Sequence, residues 1–594
     1  MRRAILLLPL CVVFATASPA QTFTKLHDFQ GSSDGSKPYG SLVQGSDGNL
    51  YGEAAEDGTF RRGTIFKITP EGTLTTIHNF IGGFFDGSGP YSGLTLGPNG
   101  NLYGTSVVGG VYDRGTVFMS TQQGVVTVLH SFCPQEPCAD GAEPAAGLVL
   151  GADGNFYGAA HFGGLHGYNP EGTLFKITPD GVFTTLHQFS GSDGSDVTAR
   201  LLQATDGNFY GTTQEGGYVQ GFRCSEGCGT VFKITPQGVL TTLHFFCSTD
   251  SSCPDGYFPY DGFVQGSDGA LYGVAAFGGS NNSGTIFKLD LNGTLTTLFS
   301  FPGTQSWQPA GELIEAADAF YGMTSDGINN GGTIYRITPT GVFTVVHEFC
   351  PQWPCSDGNW PIGALTVGKN GLLYGTTAFG GNKNLGTVFS LDLGLAPLSV
   401  TKIGGGTVIG GSGHIYCGAK CSYVYTKGKQ LQLSPIPGPG STFTGWTGCD
   451  QVQGSYCMVT VNSARNITAS FTSSAVSLTS LVLKPSTVKG GQLSAATLTL
   501  SAPAPEGGLG VGIASSVPGA AHPPSWIVVP AGKTTAGFAV RTFPVRSKTV
   551  VNISASTGGS QVSAMLTVTN GHGSNQPNGV SNQPRTDMST SAKD

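Results

Sequence analysis

Charge is scarce in this sequence. Only 11% of its 594 residues are Asp, Glu, Lys or Arg, and the 29 basic and 36 acidic side chains form no basic stripe. Nucleic-acid binding needs clustered Lys and Arg to displace counterions, so that class is excluded. Beyond residue 20 no apolar run reaches the ~18 residues that span a bilayer, so no transmembrane segment is expected in the mature chain. The surplus of Ala, Glu, Lys and Leu that marks coiled coils and long helices is also lacking. The ligand spacing of an EF-hand is missing, and the Gly-Gly…Gly-Thr loops lack the Lys of a phosphate loop.

Glycine is abundant instead. The 93 glycines make up about one residue in six (93/594), more than twice average usage. They follow no three-residue period, so the chain is not collagen-like. Aromatic residues at 10% argue against general disorder. The composition points to many short strands joined by Gly-rich turns.

Residues 1–20 read as a secretory signal peptide. Arg2 and Arg3 precede the apolar stretch Ile5 to Ala15, and Ser18-Pro19-Ala20 places small residues before Gln21. Its removal leaves 27 basic residues (29 − 2) against 36 acidic, a balance of −9. Cys11 lies inside the apolar run and leaves with it. The other twelve cysteines fall in close pairs: Cys133 with Cys138, Cys224 with Cys228, Cys247 with Cys253, Cys350 with Cys355, Cys417 with Cys421 and Cys449 with Cys457. An exported chain with evenly paired cysteines reads as disulfide-bonded. Zinc is the rival reading; irregular spacings and the lack of a His cluster speak against it. No metal or cofactor is expected.

Internal repetition dominates the rest. Tyr-Gly recurs at Tyr51, Tyr103, Tyr157, Tyr210, Tyr272, Tyr321 and Tyr374. Each is followed by Gly-Thr and a hydrophobic pair, as at Gly63 to Phe66. A Leu-His-x-Phe element places His at 27, 78, 130, 187, 244 and 347, with Phe299 in the remaining copy. Each unit parses into four strands. In the third these are Gly147–Gly151, Phe156–Ala160, Thr173–Thr178 and Val182–Phe189. Asp-Gly or Asn-Gly before the second strand predicts a two-residue hairpin with both central residues at positive φ; the sixth unit has Ala317-Asp318-Ala319 instead. Four strands per ~53 residues is the size of a propeller blade. The seventh unit lacks a last strand, and Thr22 to Phe29 supplies a spare one. Pairing them would close a seven-bladed β-propeller over residues 21–396 and hide both edges. A linear β-solenoid, the competing architecture, would not need that complementary deficit.

Tyr374-Gly-Thr-Thr-Ala-Phe-Gly-Gly381 followed by Gly386-Thr-Val-Phe389 resembles the Gloeo/Verruco tandem repeats, over roughly residues 22–395. The resemblance implies an exported bacterial repeat protein and carries over no catalytic residue. Residues 397–473 contain Phe443-x-Gly-Trp446, four cysteines and Ala469-x-Phe471, and resemble the divergent internalin-type B-repeat. That likeness implies a small β-grasp-like module with Trp446 in its core. Residues 474–570 alternate in period two, as in Val476–Leu483, between Pro- and Gly-rich turns, which predicts an immunoglobulin-like β-sandwich. It looks like the stalk repeats of bacterial surface proteins. The polar tail 571–594 is expected to be disordered.

For the site, the repeated histidines occupy equivalent places in successive units and cannot converge on one ion. They read as packing residues. Glu53, Glu56, His161, Glu215 and Asp326 are off-pattern polar residues after the second strands, but none sits in a Gly-x-Ser-x-Gly, His-Glu-x-x-His or paired-carboxylate pattern. The connections entering each unit, pinned by disulfides, carry Trp307, Trp353, Trp360, Tyr257, Phe258 and Tyr260. Rigid aromatic loops make a binding surface at low entropy cost, although capping of the blade tops would use the same residues. The expected function is a non-catalytic, secreted or cell-surface binding or adhesion scaffold for glycan or protein. An extracellular polysaccharide lyase or hydrolase and a structural envelope component are the alternatives.

Overall fold

The computed structural model describes residues 21–570 apart from 165–170, 218–223, 249–251, 304–306, 328–329, 419, 439–440, 474–475, 506–507 and 558–559. The expected signal peptide and polar tail lie outside the described residues. The chain divides into two compact units. The first holds residues up to 401 with 409–434 and 448–467, and the second holds 402–408, 435–447 and 468 onward.

The first unit contains seven four-stranded antiparallel sheets among the described residues. In the third, strands Val149–Leu150, Phe156–Ala160, Thr173–Ile177 and Phe183–Gln188 fall within the segments parsed from sequence. The seventh takes Thr366–Val367, Leu373–Thr377 and Thr387–Asp392 from its own repeat, and Thr22–Asp28 as its fourth strand. Thr22 faces Asp392 and Asp28 faces Thr387, so the two ends of the repeat region complete one sheet.

Consecutive sheets share buried cores. Leu148, Phe156 and Phe175 of the third pack on Tyr103, Val117 and Phe132 of the second. Tyr374 and Val388 of the seventh, with Phe29, pack on Leu42, Leu50 and Phe66 of the first. The last sheet thus closes on the first. A Cβ added to Gly52 would lie 2.5 Å from the ring of Phe66. That close approach is why the residue after the repeated Tyr is Gly.

The turn before the second strand corrects the sequence expectation. It is a five-residue loop, not a two-residue hairpin: in the third sheet Gly151 N–H donates to Asn155 at 2.8 Å and Gly154 N–H to Gly151 at 2.9 Å. Only Gly154 holds positive φ. Asp153 instead accepts from Asn155 N–H and from the Tyr157 hydroxyl, so the Asp serves as an acceptor rather than as a left-handed residue. The sixth sheet does form a tight two-residue turn, with Ala317 at φ 49° and Asp318 at φ 62°.

Each repeated His pairs through Nε2 with an Asp of the following loop. The pairs are His27–Asp34, His78–Asp86, His130–Asp140, His187–Asp193, His244–Asp255 and His347–Asp357, at 2.8 to 3.3 Å. These aspartates also accept loop N–H groups, as Asp86 does from Ile81 and Gly82. The pairs order the loops.

All six expected disulfides are present. Cys133 is bonded to Cys138, Cys224 to Cys228 and Cys247 to Cys253. Cys350 is bonded to Cys355, Cys417 to Cys421 and Cys449 to Cys457. The sulfurs of Cys224, Cys228 and Cys247 come within 4.8 Å of one another, which is metal-ligand proximity. Each of the three is committed to a disulfide, Cys247 through Cys253, so the cluster is two adjacent bridges and offers no thiolate to a metal.

Also in the first unit, Leu395–Ser399 pairs with Ser422–Thr426 and Lys429–Leu433 pairs with Cys457–Val461. The second unit holds a four-stranded and a five-stranded sheet that share one core, including Leu481, Leu498, Val511, Val540, Ile553 and Leu566. In that unit Ser441–Thr447 pairs with Thr468–Ser473. Trp446, expected in the core, is only half-buried there, 5.3 Å from Phe443.

Candidate functional site

The connections entering the seven sheets approach one another closely. A Cβ on Gly40 would lie 2.3 Å from the Gly93 amide nitrogen, and one on Gly363 2.8 Å from the Tyr39 carbonyl oxygen. Together they line one cavity of about 410 Å³, to which all seven contribute: Tyr39–Ser41, Tyr91 and Ser92, Ala145 and Gly147, Thr198 and Arg200, Asp261 and Gly262, Gly311 and Glu312, and Trp360 with Ile362–Ala364. This volume falls at the lower end of the ~300–1,000 Å³ usual for ligand sites.

Three charged residues occupy positions that are small and neutral in the other units. Aligned on the Leu or Phe that follows the connection, Arg200 and Glu312 replace Ser41, Gly93, Gly147, Gly262 or Ala364, and Asp261 replaces Gly40, Ser92 or Gly363. Arg200 Nε donates to the Leu148 carbonyl at 2.9 Å and Nη2 to Thr95 Oγ1 at 3.2 Å. Its Nη1 lies 3.9 Å from Glu312. Asp261 accepts from Gly311 N–H at 2.8 Å. Burial, then the nearby Glu312, pushes the Asp261 carboxyl up to about 7. Burial also raises Glu312, against the pull of Arg200. The hydroxyl of Thr198 is buried without a partner.

Aromatic rings frame this cavity. Tyr39 and Tyr91 stack at 5.2 Å. Trp360 stacks on Phe379 at 5.3 Å, and Lys37 Nζ lies 5.6 Å above the Phe379 ring. A second cavity of about 300 Å³ adjoins through Trp360 and is lined by Gln308, Ser325, Asp326, Asn330, Asn359 and Phe379.

The sequence-derived aromatics do not form one patch. Trp307 is 5% exposed and packs among Phe301 and Phe343, so it is a core residue. Its burial follows from the replacement of the repeated His by Phe299 in the last strand of the fifth sheet: Phe299, Phe301, Trp307 and Phe343 pack together there. Trp353 is 82% exposed and Trp360 39%. Tyr257 is buried and stacks on Phe277, Phe258 lies edge-on to both rings, and Tyr260 is 36% exposed.

The five off-pattern polar residues do not gather in one place; only His161 and Glu215 come near each other. Glu53 is buried, with Gly93 N–H donating to it at 2.9 Å. Glu56 bonds Lys37 at 2.8 Å. His161 pairs with Asp196 at 2.7 Å, and Glu215 stands near both. Asp326 lines the second cavity. The charged trio Arg200, Asp261 and Glu312 escaped sequence reasoning. Its signal lay in the alignment of the connections rather than of the second strands.

A family model described as Gloeobacter/Verrucomicrobia repeat matches residues 10–222 and 219–403, and one described as divergent InlB B-repeat domain matches 396–475. No curated protein matches the chain. Among solved structures, a quinonprotein alcohol dehydrogenase-like protein from Bacteroides thetaiotaomicron is similar at 11% identity and TM-score 0.33, over 53% of this chain and 66% of that one. A GH43 β-xylosidase/α-arabinofuranosidase from a compost microbial metagenome is similar at 12% and 0.26, over 61% and 94%. A sucrose-6-phosphate hydrolase from Lactobacillus gasseri is similar at 10% and 0.27, over 93% and 89%. These likenesses are too distant to transfer a residue or a reaction.

Proposed function

The chain belongs to the Gloeobacter/Verrucomicrobia repeat family, and from that premise we propose that it is an exported, non-catalytic glycan-binding scaffold. Its seven sheets are the blades of a closed propeller, and the ligand enters at the cavity on the axis. The carrying observation is that all seven entering connections line this one cavity, to which stacked Tyr39 and Tyr91, Trp360 and the Asp261 and Glu312 carboxyls contribute. Aromatic faces with a few convergent polar groups are what a sugar-sized ligand requires. The six disulfides fit an oxidising compartment, and among the described residues no helix is long and apolar enough to cross a membrane. The immunoglobulin-like sandwich and the B-repeat module serve as spacers. On a glycan array, the chain from Gln21 onward should retain a defined set of glycans. Tyr39→Ala/Tyr91→Ala/Trp360→Ala should lose them with its melting temperature intact. Retention of the same set by that variant would sink the reading.

One observation favours a hydrolase at the same place. Asp261 and Glu312 are neighbouring carboxyls whose surroundings both favour the protonated form, and a carboxyl held near 7 suits general acid–base work. Release of reducing ends from a bound glycan, abolished by Asp261→Asn, would establish it.

A further inference from the structure

We propose that the axial cavity and its neighbour are two subsites of one oligosaccharide site, divided by Trp360 and selective for uncharged sugars. This rests on the axial cavity being the ligand site.

Three observations lead there. Trp360 lines both cavities, with Phe379 stacked on it as support. A ligand filling one cavity alone would leave a wall of the other unused. A chain of two rings lets each ring meet a wall of the same indole. The two linings also differ in chemistry as two sugar positions would. The second cavity offers the amides of Gln308, Asn330 and Asn359 and the Ser325 hydroxyl. Amides and hydroxyls donate and accept, which matches ligand hydroxyl groups that do both. The axial cavity offers the Asp261 and Glu312 carboxyls and the unpartnered Thr198 hydroxyl. A buried hydroxyl without a partner forgoes a hydrogen bond that a ligand can restore.

Charge sets the selectivity. Arg200, the one cation on the axial lining among the described residues, already donates to Leu148 and Thr95 and lies beside Glu312. An anionic sugar would bring its carboxylate into a space whose burial already disfavours negative charge on Asp261 and Glu312, with no uncommitted guanidinium edge to receive it. The second cavity adds Asp326, which again disfavours an anion. A cationic ligand in the axial cavity would meet the Arg200 guanidinium where burial keeps Asp261 and Glu312 from offsetting it. Uncharged hydroxyls meet none of these penalties.

The test is calorimetry of the purified chain with xylose, glucose and mannose, their β-1,4-linked di- and trimers, and oligogalacturonides as the acidic control. The expected result is a neutral dimer that binds about tenfold or more tightly than its monomer. A trimer should add little, and the oligogalacturonides should not bind. Asn359→Ala should reduce dimer affinity and leave the monomer unchanged. Trp360→Ala should weaken both, and Trp353→Ala, on the exposed loop, neither. Equal affinity for monomer and dimer, or preference for oligogalacturonides, would overturn the two-subsite inference while leaving glycan binding standing. Binding of sugars that is indifferent to Trp360→Ala would overturn the axial site itself. No heat with any of these sugars would overturn the inference as well.

Discussion

The backbone N–H of Ala317 donates to the carbonyl oxygen of Val424 at 2.8 Å. Its neighbour Asp318 donates its own N–H to the Tyr423 hydroxyl at 3.0 Å and pairs with His414, while Glu315 meets Lys420 at 3.0 Å. The sixth sheet's departure from Asp-Gly therefore serves attachment of the strand Ser422–Thr426. The turn holds two non-glycine residues at positive φ, which costs roughly 1–2 kcal/mol per residue for ordinary side chains. Ala317→Gly should raise stability by about 0.5–1 kcal/mol, since the bond to Val424 uses only the backbone. Tyr423→Phe should lower it by about 1 kcal/mol, because the Asp318 N–H loses its acceptor. Thermal denaturation of both variants checks the pair; no change in either would show that the turn is not held by this contact.

Completion of the seventh sheet by Thr22–Asp28 gives a second expectation. Phe29 is buried against Phe66 and shares a core with Leu50, Ile68 and Val388. Phe29→Ala should cost about 3–5 kcal/mol through the cavity it leaves. Deleting residues 21–29 should cost more, because it also strips the seventh sheet of its outer strand and exposes an edge. A deletion variant that melts like the parent would rule out closure by Thr22–Asp28.

The architecture was legible because the repeat is written in residues that the backbone demands. The Gly of each Tyr-Gly cannot carry a Cβ, and the Phe of each Leu-His-x-Phe fills a core. The aspartates that pair with the repeated histidines were also legible in principle, since Asp34-Gly, Asp86-Gly, Asp140-Gly, Asp193-Gly, Asp255-Gly and Asp357-Gly recur at a second fixed place in the repeat. They were overlooked because the spacing from His varies from 6 to 11 residues. The site was harder. Arg200, Asp261 and Glu312 lie more than 50 residues apart along the chain and meet only because the connections that carry them line one cavity. Trp307 and Trp360 look alike in sequence. Only the neighbouring Phe343 and the missing His–Asp pair bury the first.

The disulfides should act locally. Each joins cysteines four to eight residues apart, which limits the chain-entropy contribution to roughly 2 kcal/mol apiece. Reduction should lower the melting temperature while leaving the β-sheet signal of the folded chain in place at room temperature. Peptide mapping of the unreduced protein should find each cysteine linked to its near neighbour, Cys247 to Cys253, Cys350 to Cys355 and Cys417 to Cys421 among them. Unfolding on reduction at room temperature would mean that the bridges hold the sheets and not just the loops.

Glu53 makes the pH dependence predictable. It lies in the strand Leu50–Ala54 with 1% of its surface exposed, between the first and second sheets. One carboxyl oxygen accepts from Gly93 N–H and the other has no partner. Burial outweighs that one bond and pushes the carboxyl up to about 8, from an ordinary 4.5. At neutral pH the folded chain therefore holds a proton that the unfolded chain has released. The contribution is fully present below about 4.5 and is lost as pH rises towards about 8. At about 1.4 kcal/mol per pKa unit, the whole span is on the order of 5 kcal/mol. Glu53→Gln removes the titration and keeps an acceptor for Gly93. The variant and parent should be of similar stability near pH 4.5, and the variant should be more stable by a growing margin as pH approaches 8. Chemical denaturation at several pH values reads this difference directly. Parallel stability curves for the two proteins would mean that Glu53 is ionised in the folded chain, and that something other than Gly93 then holds its charge.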